Sequence, residues 1–209
     1  MYSTTQVPQV AILGDEGVGK TSIAMRACNR GFDPSYDPTI QDSVQTWVTI
    51  GGVKHPFLIL DTGGQEEYAN LRDISIRQSD GFVLVYDVTS MRSFRNLRDL
   101  LNQILQVKGW TSEEPVASRL ARPPITIVGN KIDTSEEWEV PTHVAWAFSC
   151  KFGCKFIEAS AQLNLKADEA VFDVVNKLVP LLQASGNDEP SDGSRLGSIW
   201  NYGSCCTIM

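Results

Sequence analysis

Positive charge is scarce in this chain: 18 lysines and arginines stand against 25 aspartates and glutamates, a net charge of −7. Such a surface repels phosphate backbones, which argues against a nucleic-acid-binding protein. No apolar run approaches the ~20 residues that a helix needs to cross a bilayer. The N-terminus lacks the charged and apolar regions of a secretory signal, so the chain is expected to stay on the cytosolic side of any membrane it touches. The five cysteines are odd in number and show no zinc-type spacing. Cys28, Cys150 and Cys154 lie in or beside apolar helical stretches, where buried reduced thiols are the default. Cys150 and Cys154, four residues apart, leave a redox pair conceivable.

What is present fits one domain and a tail. The chain has 209 residues, 42% of them hydrophobic, enough for a sizeable core. Apolar strands alternate with amphipathic helices. Val10–Leu13 reads as a buried strand and Lys20–Asn29 as a helix. Val44–Ile50 and Lys54–Leu60 flank Gly51-Gly52, a hairpin signal. Gly81–Asp87 and Ile125–Asn130 are continuous apolar runs, as in central parallel strands covered on both faces, and Lys155–Glu158 reads as a last strand. Phe94, Leu97, Leu101, Ile104 and Leu105 recur with a helical period, as do Ala167, Ala170, Val171, Val174, Val175 and Leu178. Pro141 suits the first turn of a helix that Gly153 closes, and Pro180 is expected to end or kink the last helix. The alternation predicts an α/β fold with one antiparallel strand at the sheet edge. Residues 1–184 form the expected domain, and from Ser185 to residue 209 the composition is that of a solvated linker. Gly109–Pro124 is long for a connection; it is either a tolerated surface insertion or an ordered interaction surface.

Three segments carry chemistry. Gly14-Asp15-Glu16-Gly17-Val18-Gly19-Lys20-Thr21 satisfies the phosphate-loop pattern, with a strand before it and a helix after. Its glycines let backbone N–H groups converge on phosphate oxygens, and the helix N-terminus adds partial positive charge. Lys20 is placed to bridge terminal phosphates and the Thr21 hydroxyl to ligate Mg²⁺. Asn130-Lys131-Ile132-Asp133 begins 110 residues after Lys20, at the end of a buried strand. Asp133 there can accept from both the ring N–H and the exocyclic amine of guanine, whereas adenine would leave the carboxylate unpaired. Asn130 can bond the base edge and brace the phosphate loop, while the Lys131 stem covers one face of the ring. Asp61-Thr62-Gly63-Gly64-Gln65-Glu66 ends the second hairpin strand. A carboxylate at Asp61 can hold Mg²⁺, the Gly64 N–H can approach a terminal phosphate, and Gln65 can orient an attacking water.

With Asp37-Pro38-Thr39-Ile40-Gln41-Asp42-Ser43 and Glu158-Ala159-Ser160-Ala161, these segments occur in the order and approximate spacing of the small GTPases, and the chain resembles the Ras subfamily over roughly residues 8–183. Rho proteins resemble it less, because their extra helix follows the guanine-specifying strand; Rab proteins usually end in paired geranylgeranylated cysteines. The resemblance implies a six-stranded, mostly parallel sheet with one antiparallel edge strand and five helices. It implies GTP and GDP as ligands with Mg²⁺, the metal held by Thr21, Thr39 and Asp61. The nucleotide site it implies is Gly14 to Ser22 with Phe32, Tyr36, Thr39, Asp61, Gly64, Asn130, Lys131, Asp133, Ser160, Ala161 and Gln162. Thr39 and Gly64 sense the γ-phosphate, Phe32 meets the edge of guanine, the Ala161 N–H donates to the guanine oxygen, and Lys20 and Gln65 serve hydrolysis. Tyr36 to Val44 forms the effector segment, and the implied partners are an exchange factor, an activating protein and effectors.

The departures from that pattern matter. Glu16 stands where Ras proteins carry glycine; it either crowds Gln65 and an incoming arginine finger or swings into solvent. Gln41 and Val44 replace a glutamate and a tyrosine, which changes partner choice at an edge where effectors add a strand. Gln162 replaces a lysine and Gly63 an alanine, both tolerable. Cys206-Thr207-Ile208-Met209 reads as a prenylation box, and its methionine favours farnesyl on Cys206. One lipid binds membranes only marginally. From Ser185 onward Arg195 is the sole basic residue, so palmitoylation of Cys205 is the candidate second signal, and Ile199, Trp200 and Tyr202 can settle at the lipid interface. The expectation is a slowly hydrolysing switch on the cytoplasmic face of the plasma membrane, with endomembranes as a further location. The alternative is a persistently GTP-loaded scaffold. A metabolic P-loop kinase or ATPase is disfavoured by Asp133 and by the absence of an arginine-rich lid.

Overall fold

The structure, a computed structural model, describes residues 7–29, 31, 41–63, 69–110 and 122–185. Among these residues six strands alternate with five α-helices: β1 (Gln9–Leu13), α1 (Lys20–Ala27), β2 (Gln41–Ile50), β3 (Val53–Thr62), α2 (Ala69–Gln78), β4 (Gly81–Asp87), α3 (Met91–Val107), β5 (Ile125–Asn130), α4 (Thr142–Phe152), β6 (Lys155–Glu158) and α5 (Ala167–Ser185). The strands lie in the order β2-β3-β1-β4-β5-β6. Among these described strands, the β2–β3 pair alone is antiparallel. Its turn is Gly51-Gly52, with φ of 58° and 83°, the left-handed pair that matches the twist of a two-residue hairpin. Pairing extends beyond the apolar runs, from Ile50↔Val53 out to Gln41↔Thr62, because the ladder continues once the hairpin has set the register.

Strand alternation divides the core into two layers. Val10, Ile12, Val83 and Val85 face α1 and α5, packing with Ile23, Val171 and Val174. Ala11, Leu13, Phe82 and Leu84 face the other way, toward Leu97, Leu101 and Ile104 of α3. All seven residues of β4 are buried, and burial of one large apolar side chain there stabilises by roughly 1.5–3 kcal/mol. At Gly81 an added Cβ would sit 2.4 Å from Val174 Cγ1, so α5 rests directly on the backbone of β4.

The helix ends follow their capping residues. Ser90 accepts from the Ser93 N–H ahead of α3, and Gly153, at φ 69°, closes the helix that Pro141 precedes. Pro180 does not end α5, which runs on to Ser185. Pro180 and Asn176, whose carbonyl loses its helical donor, are both exposed, so solvent serves the freed carbonyl while Leu178 and Val179 remain buried. No disulfide joins Cys150 and Cys154. Burial pushes the Cys154 thiol up to about 12, which removes the thiolate that a redox pair requires.

Because β1, β3, β4, β5 and β6 run parallel, their C-terminal ends share one edge of the sheet. The opposite flank is tied by Asp173 of α5. Its carboxylate accepts from Thr126 Oγ1 at 2.9 Å, Lys155 Nζ at 2.7 Å and Lys177 Nζ at 2.8 Å. Burial raises its pKa, but the two lysines outweigh that and hold the carboxyl below its ordinary value. The native state therefore binds this proton less readily than the unfolded chain. The stabilisation is complete above the unfolded value of about 4 and is lost as pH falls through the lower native value. Asp173→Asn should destabilise by about 1 kcal/mol at pH 7, with the difference from wild type shrinking toward pH 3. Urea melts across that range would show it, and a pH-independent difference would contradict it.

Candidate nucleotide-binding site

The loop after β1 begins at Gly14, where an added Cβ would lie 2.2 Å from the Val85 carbonyl oxygen; the loop thus starts in contact with β4. Gly17 and Gly19 have φ of 75° and 95°, which glycine adopts without steric cost. Gly19 caps α1 and no side chain closes that end, so the first N–H groups of the helix, which have no acceptor inside it, serve the loop. Glu16 and Gly17 are exposed at the rim, Asp15 and Ser22 are half-buried, and Val18 is buried.

Lys20 is 7% exposed, and its Nζ donates to the Asp15 carbonyl at 2.7 Å. Burial lowers the ammonium to about 8; Asp61, Asp15 and Glu16 oppose the shift and Arg72 of α2 adds to it. Asp61, at the end of β3, is pushed the other way by burial, against a hydrogen bond from the Thr21 hydroxyl and the charge of Lys20. Its Oδ1 is buried without a hydrogen-bond partner, a costly position for a carboxylate oxygen. An orphaned carboxylate oxygen beside a hydroxyl is a hard-oxygen donor set, so these residues fit Mg²⁺ or a water bound to it. Thr62 Oγ1 fixes the strand end by donating to the Ile12 carbonyl at 2.8 Å.

The loops after β5 and β6 complete the edge. Asn130 is 2% exposed. Its Nδ2 donates to the Val18 carbonyl at 2.8 Å, and its Oδ1 accepts from the Ala161 N–H at 3.1 Å. The Ala161 donor is therefore already engaged, and serving a guanine oxygen requires sharing it. Ser160 Oγ donates to Asp133 Oδ1 and accepts from the Leu163 N–H, which holds the carboxylate at the loop. Lys131 sits at φ 70°, uncommon for a residue with a side chain. Its Nζ pairs with Asp87 Oδ2 at 2.5 Å, and Asp87 Oδ1 accepts from the Thr89 N–H and hydroxyl. Gln162 is exposed. Arg26 of α1 grips the same loop, donating to the carbonyls of Ala161 at 2.8 Å and Gln162 at 2.9 Å.

The fold therefore brings together Gly14–Ser22, Asp61, Asn130, Lys131, Asp133, Ser160, Ala161 and Gln162 at one sheet edge. Phe32, Tyr36, Asp37, Pro38, Thr39, Ile40, Gly64, Gln65, Cys205 and Cys206 lie outside the described residues, as does most of the 109–124 insertion; Gln41, Asp42, Ser43 and Val44 lie on β2. Asp87, Arg26 and Asn96, the last bonded to Asp15 at 2.7 Å, belong to the site without belonging to any motif. Only Asp87 carried a signal, as a charge ending a buried strand at the ligand edge.

The family model of the Ras family matches residues 9–180. The chain is 42% identical over 179 residues to Protein ras-2 of Neurospora crassa, covering 81% of this chain and 78% of that one. It is 39% identical to Ras-like protein 1 of Pyricularia oryzae, covering 85% and 77%, and 39% identical to Ras-like protein B of Aspergillus fumigatus, covering 81% and 77%. A match that runs from the first strand through most of the last helix takes in every loop of the edge just described, and the chain belongs to the Ras family of GTPases, binding GTP and GDP with Mg²⁺ and hydrolysing GTP.

Proposed function

We propose that this Ras-family switch hydrolyses GTP slowly, engages effectors in its GTP state and works on the cytoplasmic face of the plasma membrane through lipids on Cys206 and Cys205. The observation that carries the switch reading is the pair of buried opposite charges, Lys20 and Asp61, at a loop whose backbone donors are already arranged. Lys20 and the loop N–H groups bind the terminal phosphates and stabilise charge as the phosphoryl group transfers. Gln65 orients the attacking water, and Thr39 and Gly64 report the γ-phosphate to the segments around them. Thr21, Thr39 and Asp61 would hold Mg²⁺, which would supply neutralising charge to the phosphates. Gln41 and Val44 direct the choice of effector along the exposed β2 edge. The two-lipid anchor rests on the terminal Cys206-Thr207-Ile208-Met209 box, preceded by Cys205 in a tail with one basic residue.

A second reading, the persistently GTP-loaded scaffold, is favoured by Glu16, which is exposed on the loop and whose charge reaches Lys20. Single-turnover GTP hydrolysis with and without a Ras-type activating domain separates the two. For Ras-type hydrolysis an arginine finger is worth roughly 10³–10⁵ in rate, so Glu16→Gly should raise the stimulated rate by a large part of that factor. An unchanged stimulated rate would clear Glu16 of any obstruction.

Lys20 sets a pH dependence. With its pKa lowered to about 8 in the nucleotide-free protein, the ammonium is charged below that value and neutral above it, and bound phosphates pull the proton back on. GDP affinity should therefore fall as pH rises through 8, with proton uptake on binding. Lys20→Arg should bind more weakly but lose this uptake. Calorimetry in buffers of different ionisation enthalpy measures both, and equal uptake by the two proteins would sink the assignment.

For the anchor, Cys206→Ser should leave the protein soluble in cells, whereas Cys205→Ser should move it to internal membranes. Plasma-membrane retention of both variants would refute the two-lipid scheme.

A further inference from the structure

Helix α3 lies outside every motif of the nucleotide site, yet one of its side chains bonds the phosphate loop and another, two turns on, bonds α2. Asn96 Nδ2 donates to Asp15 Oδ2 at 2.7 Å, across 81 residues of sequence. The carbonyl of the same Asp15 accepts from Lys20 Nζ at 2.7 Å. Gln103 follows Asn96 by seven residues, about two helical turns, and so projects from the same face. Its Nε2 donates to Asp73 Oδ1 of α2 at 2.7 Å. Just past the end of α3, Lys108 Nζ donates to the carbonyls of Arg77 at 3.1 Å and Ser79 at 2.6 Å, at the C-terminal end of α2. Asn96, Gln103 and Asp73 are half-buried, and bonds from an amide to an ionised carboxylate are roughly twice as strong as neutral ones. Between the two amides, Leu97, Leu100 and Leu101 are buried against the sheet, so this stretch of α3 is held as one rigid piece.

We propose that α3 is a strut coupling α2 to the phosphate loop, with Asn96 the positioning residue that holds Asp15 and, through it, the resting place of Lys20. A shift of α2 is transmitted through Gln103 to Asn96 and changes how firmly the loop holds the phosphates. Arg72 places charge from α2 near Lys20 as well, and the strut adds bonds that can be cut singly. The inference rests on nucleotide binding at the phosphate loop, not on the hydrolysis, effector or membrane proposals above.

The test is release of a fluorescent GDP analogue from the full-length, Mg²⁺-loaded protein, chased with excess GDP. Asn96→Ala should speed release by roughly ten-fold, the size expected for a hydrogen bond to a charged group. Asn96→Asp keeps the shape but sets a second carboxylate against Asp15, and should release faster still; a mere packing role predicts a wild-type rate for it. Gln103→Ala should also speed release, by less, and should add nothing in the Asn96→Ala background. Wild-type release by both Asn96 variants, with unchanged circular dichroism, overturns the proposal. Independent, multiplicative effects of Gln103→Ala and Asn96→Ala overturn the strut. A wild-type protein that loads no analogue would instead contradict nucleotide binding itself, and is read before any variant.

Discussion

One side-chain amide, that of Asn130, joins the two halves of the nucleotide site. It is the last residue of β5, and it reaches the Val18 carbonyl in the phosphate loop and the Ala161 N–H in the loop after β6. These contacts span 112 and 31 residues of sequence, so neither loop could find the other by local structure alone. Removing the amide would orphan two main-chain groups, at roughly 1–3 kcal/mol for each that stays buried. Gly19 belongs to the same arrangement, since a Cβ there would lie 2.3 Å from Asn130 Nδ2. The glycine that gives the loop its left-handed turn thus also makes room for the side chain that braces it. Arg26 supplies a second tie from α1 to the carbonyls of Ala161 and Gln162.

That frame keeps Lys20 and Asp61 out of water, and burial shifts both toward neutrality, the ammonium downward and the carboxyl upward. Each opposes the shift of the other by its charge, but not fully. Phosphate oxygens near Lys20 and a hard cation near Asp61 would each restore the ionised form, so the nucleotide and its metal relieve a penalty that folding alone leaves in place. Binding and stability are linked in that sense: ligand that binds only the folded chain stabilises it by mass action. The site's readiness for ligand lies in a buried ammonium and a buried carboxylate oxygen without a hydrogen-bond partner, not in a surplus of positive charge.

The legible parts of this chain are those in which one short segment carries its own signal. The central strands were readable from unbroken apolar runs, the hairpin from Gly51-Gly52, and the helix from Thr142 to Phe152 from Pro141 and Gly153. The loops at Gly14 and Asn130 were legible as a pair at one sheet edge because the role expected of each, phosphate cradling or guanine selection, demands a fixed local spacing. Helix α2 was not legible in this way: its ten residues, Ala69–Gln78, are mostly polar, and only the family resemblance implied a helix count that includes it. Of the two outcomes expected at Pro180, only the ending of α5 fails: the turn faces solvent, so the freed carbonyl finds water and the helix runs on to Ser185. The left-handed Lys131 and its ion pair with Asp87 were equally hidden. The register of β4 beside β5 sets Asp87 opposite Asn130 and so next to Lys131, and pairing between strands leaves no mark on the periodicity of either one.

The neighbouring carboxylates of the phosphate loop show how such long-range contacts decide function. Asp15 and Glu16 bring two negative charges beside an intended phosphate site, and with Asp61 they outnumber Lys20 and Arg72. Net charge therefore cannot be what attracts the anion. Asp15 is turned away from that duty by Asn96, which takes its carboxylate toward α3 while its carbonyl receives Lys20. Glu16 lies at the exposed rim, and of the charges acting on Lys20 its effect is the smallest. What remains at the centre is the directed set of loop N–H groups, the α1 N-terminus and one buried ammonium, all of which act at hydrogen-bond range where net charge matters least. A loop built this way tolerates acidic side chains so long as each has somewhere else to point, and in this protein the helix that gives Asp15 its alternative is the one that also holds α2.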